Sequence, residues 1–168
     1  MITRVAWSPD GTRLAWGGND IEGGALVVWE VEHGERMYSV SELPEIVYAV
    51  AWGSSEERLV SGNSEGMLRW WDLQSGQCVW EREAHRGTVQ ALRRSPDGTR
   101  LASCGDDGAI MLWDLQSGQY LQTLRRDRPY ERLNITGISG LTEAQKATLT
   151  VLGAFEDDIE QRSLSVSR

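Results

Sequence analysis

Hydrophobic and polar residues alternate with a period of two along most of the chain, which predicts β-strands rather than helices. The pattern is clearest near the middle, where four short alternating runs lie at 89–92, 99–104, 109–113 and 120–124. The segments between them are rich in Asp, Ser and Gly, residues that tolerate the backbone angles of tight turns. The pattern therefore predicts a four-stranded antiparallel meander with short hairpin connections.

This meander is one copy of an internal repeat. The sequence WDLQSGQ at 71–77 recurs unchanged at 113–119, 42 residues later, and a degenerate copy begins at Trp29. The sequence SPDGTRLA at 8–15 likewise returns at 95–102. One meander of this size cannot bury both of its faces, so the copies are expected to stack face to face. Residues 2–124 are thus predicted to hold three units, at 2–42, 43–84 and 85–124.

A different pattern follows the repeats. Residues 125–155 are predicted to be a C-terminal extension with one helix at 142–152, where Thr142 and Gln145 have the spacing of a capping box and Gly153 follows as a C-terminal cap. The last residues, 156–168, are polar and are predicted to be a disordered tail.

The repeated sequences resemble those of a known family. LASCGDDGAIMLWD at 101–114 and LVSGNSEGMLRWWD at 59–72 look like blades of WD-repeat (tryptophan–aspartate) β-propellers, and the resemblance covers about three-quarters of the chain. It implies an all-β fold: a partial propeller of three four-stranded antiparallel blades, followed by the tail with its short helix. From Arg125 onward the chain is similar to the ends of bacterial WD-repeat proteins, including sensor regions of signalling NTPases.

The family resemblance implies a function without catalysis. It favours a protein-interaction scaffold or ligand-sensing module, here part of a bacterial signalling assembly and cytoplasmic. Two alternatives from other classes stay open. A carbohydrate-binding propeller would use Trp residues at the rim, and a hydrolase would use His85, Ser103 and Asp107, which are residue types able to form a nucleophile, a base and an orienting acid.

The resemblance gives this last group a structural role. It implies that His85, Ser103, Asp107 and Trp113 form a buried hydrogen-bond tetrad within one blade. A buried His needs a partner for each ring nitrogen, and the other three side chains can supply them. The second unit keeps only Ser61 and Trp71 of the set, with Glu65 in the place of the Asp and Leu43 in the place of the His. Decaying copies are expected of a packing device and not of a catalytic triad, so no catalytic residue is predicted.

Candidate interaction residues follow from positions within the blade. Residues near the start of the first strand and in the second turn usually face the ligand side, and these are Tyr48, Gln90, Asp106 and Ser64. Trp7 and Trp52 end equivalent first strands and are expected to be partly exposed on one rim. Trp29, Trp71 and Trp113 share the repeat position and are expected in the core.

Composition removes several classes of function. The formal net charge is −8 and the sequence pI about 4.8, which argues against nucleic-acid binding because phosphate recognition needs clustered cations. No apolar run is long enough for a membrane span, and no secretory leader is visible. Cys78 and Cys104 lack partners at ligand spacing, and Asp106-Asp107-Gly108 is too short for a calcium loop, so neither a metal nor a cofactor is predicted.

The number of units raises a question of assembly. Propellers close with four to eight blades, and this chain supplies three. Two copies would give six blades through head-to-tail contacts around a two-fold axis, so a homodimer is one expectation. The other expectations are that the chain is a fragment of a larger propeller or that a different subunit supplies the missing blades.

Overall fold

The computed structural model describes residues 1–20, 23–125, 130 and 133–156. Twelve strands form three separate four-stranded sheets in this part of the chain. The first sheet holds β1 (Ile2–Trp7), β2 (Arg13–Asn19), β3 (Gly24–Glu30) and β4 (Glu35–Leu43). The second holds β5 (Val47–Trp52), β6 (Arg58–Asn63), β7 (Met67–Asp72) and β8 (Gln77–Glu83). The third holds β9 (Val89–Arg94), β10 (Arg100–Gly105), β11 (Ala109–Asp114) and β12 (Tyr120–Arg125).

Each sheet is an antiparallel meander in which neighbours in sequence are neighbours in space. The predicted fold class is therefore confirmed. The registers repeat from sheet to sheet: Val5 pairs with Trp16, Val50 with Ser61 and Leu92 with Ser103. Such repetition means that a residue in one sheet has a definite counterpart in the other two. The first strand of the second sheet, β5, lies against both β1 and β9, so the first strands share a common axis.

Two hydrophobic cores hold the three sheets together. The core between the first and second sheets contains Leu26 and Val28 on one side and Trp52, Leu59 and Trp71 on the other. The core between the second and third sheets is built in the same way, with Leu68 and Trp70 meeting Leu92, Leu101 and Trp113. The middle sheet is therefore buried on both faces, as the stacking argument predicts.

Glycine permits the close approach of one sheet to the next. A Cβ on Gly17 would lie 2.5 Å from Cγ1 of Val47, and a Cβ on its counterpart Gly62 would lie 2.5 Å from Cγ1 of Val89. These distances are shorter than any real contact between carbon atoms. The first strand of each following sheet thus packs directly against backbone. In the third sheet the counterpart is Cys104, three residues after Leu101 as Gly62 is after Leu59.

The chain divides into two compact units, Met1–Arg125 and Arg126–Arg168. In the second unit one helix, α1 (Glu143–Val151), begins after the N-cap Thr142, whose side chain accepts from the Gln145 backbone N–H. The Gln145 side chain in turn accepts from the Thr142 N–H at 2.9 Å, which completes the capping box. Except for Glu156, the predicted disordered tail at 156–168 lies outside the described residues.

Candidate functional site: a buried network and two open sheet faces

The third sheet contains a continuous chain of side-chain hydrogen bonds. His85, in the connection between β8 and β9, contacts Asp107 Oδ1 through Nδ1 at 3.0 Å and Ser103 Oγ through Nε2 at 2.8 Å. The Trp113 indole N–H donates to the same Ser103 Oγ at 2.9 Å. Four residues from β10, β11 and two connections are thus brought together, and they are the four that the resemblance singles out.

Only one arrangement of protons satisfies every partner. The indole of Trp113 can only donate, so Ser103 Oγ accepts from it and gives its own proton to His85 Nε2. His85 then donates from Nδ1 to the Asp107 carboxylate, which also accepts the Ala109 N–H at 3.0 Å. Burial alone would raise the pKa of Asp107, but the hydrogen bonds from Ala109, His85 and Arg86 hold it below its ordinary value.

This network lies inside the protein. Ser103 is 1% exposed and His85 is 3% exposed. A serine nucleophile must reach a substrate carbonyl. Ser103 Oγ is instead buried and accepts a hydrogen bond from the Trp113 indole. The hydrogen bonds run from Ser103 to His85 to Asp107, as in the catalytic triad of a hydrolase. The serine and the histidine are buried, however, as residues with a structural role are. The burial therefore argues against the hydrolase alternative.

The second sheet holds a reduced version of this network. The Trp71 indole N–H donates to Ser61 Oγ at 2.8 Å, as Trp113 does to Ser103. Leu43 occupies the position of the His, and Glu65, the counterpart of Asp107, is exposed. The first sheet has Trp16 at the serine position, so the Trp–Ser bond is absent there.

The four polar interaction candidates fall into two groups. Gln90 and Asp106 lie together on the third sheet, where the Gln90 amide donates to Asp106 Oδ1 at 2.7 Å, and both are exposed. Ser64 and Tyr48 are partly buried in the second sheet, and the Ser64 carbonyl accepts from Thr88 Oγ1 at 3.3 Å. The Asp106 pKa is lowered by hydrogen bonds from Gln90 and Thr88, so the carboxylate is held in place.

The predicted positions of the Trp side chains need correction in two places. The expectation that Trp52 is partly exposed is wrong, because the side chain is only 3% exposed. It fills the interface between the first and second sheets, which we call a seam, and its indole N–H donates to the Ala6 carbonyl at 2.9 Å. The expectation that Trp29 lies in the core is also wrong, since it is 38% exposed. Its counterparts Trp71 and Trp113 are buried against a preceding sheet, and no described sheet precedes the first.

The outer face of the first sheet has no described sheet packed against it. Trp29 shares it with Val5, which is 57% exposed, and Trp7, which is 59% exposed. Their counterparts in the second sheet are Val50 and Trp52, both buried in the core against the first sheet. We call this surface the first open face, and its members are Val5, Trp7, Leu14, Trp16 and Trp29.

The third sheet ends in a similar surface. Its residues are the counterparts of Ala49, Ala51, Val60, Leu68 and Trp70, by which the second sheet packs against the third. We call this surface the third open face, and its members are Ala91, Arg93, Ala102, Cys104, Ile110 and Leu112. Arg93 is the one charged residue among them, and it is exposed. Ile110 on this face is 44% exposed. The register of any one repeat assigns residues of the other two to a face, but the sequence alone does not say whether another sheet covers that face.

A group of possible metal ligands occurs in the first sheet at Glu30, Glu32 and His33. The Glu30 carboxylate is already engaged by the N–H groups of Glu32 at 2.9 Å and His33 at 2.8 Å. These hydrogen bonds lower the Glu30 pKa. Its counterparts Asp72 and Asp114 accept similar bonds from Ser75 and Ser117. The Glu30 group is thus explained as the stabilised turn between the last two strands of a sheet.

Three antiparallel meanders that stack face to face, with their first strands along one axis, are consecutive blades of a partial β-propeller. Comparison with protein families agrees with this class. Residues 37–72 and 76–114 match the model of the WD domain, G-beta repeat, so these two segments are similar to WD repeats. A search of curated proteins finds no match. None of the helices in the described residues is both long enough and apolar enough to cross a membrane.

Proposed function

We propose that this chain is a non-catalytic protein-interaction module that completes its propeller by pairing with a second copy of itself. WD-repeat blades suggest an interaction module. The observation that carries the rest is the pair of open faces, which are apolar except for Arg93 and stand at positions that are buried wherever a neighbouring sheet exists. A soluble protein rarely leaves such a surface uncovered.

The two open faces are suited to each other. The first open face corresponds by register to the surfaces that the second and third sheets present to the sheet before them, and the third open face corresponds to the surface that the second sheet presents to the sheet after it. The interface between two copies would thus bring together the same register positions as the interfaces between sheets within one chain. Two copies joined head to tail around a two-fold axis would form a ring of six sheets.

One position makes the new seam different from the internal ones. Cys104 stands where Gly17 and Gly62 admit Val47 and Val89, and the residue that would meet it is Ile2 of the second copy. Both residues are larger than their counterparts, so this seam is expected to be wider and weaker than an internal one. The association should accordingly depend on concentration.

The test is the mass of the full chain in solution, measured by light scattering after size exclusion over a range of concentrations. A dimer near twice 18.8 kDa is expected. Val5→Glu on the first open face and Ile110→Glu on the third should each give monomers, because a charge cannot be buried unpaired in the seam. Ile138→Glu is the control, since Ile138 is exposed to the same extent, 44%, but lies in the second unit.

Mixing the two variants distinguishes a head-to-tail pair from any other dimer. One of the two seams in a mixed dimer would carry both glutamates, and the other would carry none. Partial recovery of the dimer on mixing is therefore expected, and it would not occur if each face paired with itself. A monomer at every concentration would contradict self-association and leave blades from another chain as the partner. The same loss of mass for Ile138→Glu would contradict the assignment of the contact to the open faces.

The wider setting of this function is part of the proposal. The likeness of the tail to the ends of bacterial sensor proteins supports a role in a cytoplasmic bacterial signalling assembly. The carbohydrate-binding alternative needed several Trp residues on one rim, and the burial of Trp52 removes one of the two that suggested it.

A further inference from the structure

A concavity of about 290 Å³ opens where the first strands of the three sheets end. It lies beside the turns that follow β1 and β9, and its volume is at the lower end for ligand sites, enough for one or two side chains. Its walls combine aromatic, proline and arginine residues: Trp7, Pro9, Trp52, Arg93, Arg94 and Pro96.

Arg94 stands at a position where the other two sheets carry tryptophan. Its counterparts are Trp7 and Trp52, each the last residue of a first strand. Trp52 fills its seam with the indole and satisfies its N–H on the Ala6 carbonyl. The third sheet therefore has a charged arginine at the position where the second sheet has a tryptophan packed between two sheets.

The guanidinium of Arg94 is incompletely satisfied. Its Nε atom is buried and has no hydrogen-bond acceptor among the described residues. No carboxylate of that part of the chain lies within 4.0 Å of its nitrogens, although Glu56 and Glu57 line the adjoining depression with it. A buried donor without an acceptor costs free energy, and arginine recognises a carboxylate with two parallel hydrogen bonds.

The side chain is also held in position. A Cβ built on Gly98 would lie 2.2 Å from Nη2 and 2.9 Å from Cζ of Arg94, so the guanidinium lies across the glycine of the turn between β9 and β10. Gly98 has φ +72°, a conformation that already favours glycine. The turn thus provides a flat support for the guanidinium, which reduces the entropy lost when a ligand binds.

We propose that this concavity binds a carboxylate side chain of an extended segment of a partner protein, with an apolar residue next to it in the segment. Arg94 pairs with the carboxylate, and Pro9 and Pro96, which belong to neither open face, contact the apolar neighbour. The nature of the partner rests on the proposed interaction function. The site itself does not depend on completion of the ring, because all three sheets that line it belong to one chain.

The experiment measures binding of a fluorescein-labelled peptide of alternating Leu and Asp to the full chain by fluorescence anisotropy, with a peptide of alternating Leu and Asn as its match. Arg94→Gln is expected to weaken the affinity for the Asp peptide at least tenfold, and Arg94→Lys to weaken it less, because charge is kept but the planar pair of donors is lost. Arg94→Trp restores the residue of the other two sheets, so it should fold and fail to bind.

Arg36→Gln is the control, because Arg36 is an exposed arginine on β4, the last strand of the first sheet, and its loss changes the net charge by the same amount. Equal binding of the Asn peptide, or equal losses for Arg94→Gln and Arg36→Gln, would overturn the proposal. Light scattering on the same samples separates this result from the fate of the proposed ring: a monomer that binds the Asp peptide through Arg94 supports the site and contradicts self-association.

Discussion

His85 shows how one buried side chain can join parts of the chain that are far apart in sequence. It connects Ser103 on β10 with Asp107 in the following turn, and through Ser103 it reaches Trp113 on β11. Ser103, His85 and Trp113 are buried and rely on one another for their hydrogen bonds, whereas the Asp107 side chain keeps 9% of its exposure. The energetic contribution of any one member therefore exceeds that of an isolated hydrogen bond.

Removal of the imidazole should destabilise the fold. His85→Ala leaves the buried Ser103 hydroxyl proton without its acceptor and removes one donor from the Asp107 carboxylate. The expected loss in the free energy of unfolding is roughly 2–3 kcal/mol. Urea denaturation measures it. His33→Ala is the matched control, since its side chain is 70% exposed and its loss should cost little. A loss no larger than that of the control would show that the network contributes nothing to stability.

The same network predicts a dependence on acid. The folded pKa of Asp107 is lowered, so its contribution to stability is present above the ordinary pKa of about 3.8 and is lost as the pH falls through the folded value. Asp107→Asn should therefore be less stable than the wild type at pH 6 and approach it in stability as the pH is lowered below 3.8. Thermal unfolding at a series of pH values tests this, and a constant difference across the series would contradict it.

At the scale of the strands, the sequence repeat and the structural sheet do not coincide. The matched segment 76–114 includes β8, the last strand of the second sheet, and the first three strands of the third, β9 to β11. His85 lies in the connection that passes from one sheet to the other. Each repeat consequently ties two neighbouring sheets together by covalent continuity as well as by packing.

Close packing between these elements can be tested at a glycine. Gly62→Ala places a methyl group 2.5 Å from Cγ1 of Val89 and should separate β6 from β9, with an expected loss of about 1–3 kcal/mol in the free energy of unfolding. Calorimetric measurement of the melting temperature checks the effect. Gly62→Ala combined with Val89→Ala provides the control, because the smaller partner should recover part of the loss; if it recovers none, the contact is not the cause.

Much of this fold could be predicted from the sequence, because alternation and repeats are local signals that report directly on strands and turns. The strand runs at 89–92 and 109–113 lie within β9 and β11. The exposure of Trp29 and the burial of Trp52 could not be predicted from the repeat alone. Whether a repeat position is covered depends on the next sheet in space, and the same tryptophan is core in one copy and surface in another.

At the scale of the whole molecule, the three sheets are not equivalent. The middle sheet is buried on both faces, whereas each outer sheet has one open face. The first strands also differ from one another: the strand of the third sheet ends in Arg94, whereas the other two end in tryptophan. Neither feature belongs to a motif, and both are differences between copies.

The open faces differ from each other, and this has a consequence for growth. A copy that binds another head to tail always leaves one face of each kind free, unless the angle between sheets brings the last face back to the first. With a suitable angle the assembly ends after two chains. If the proposed pairing occurs, a small change in the packing angle at Gly17 or Gly62 would prevent closure and let the same contacts continue into a filament. The contacts between sheets within one chain would then decide whether the proposed assembly is finite.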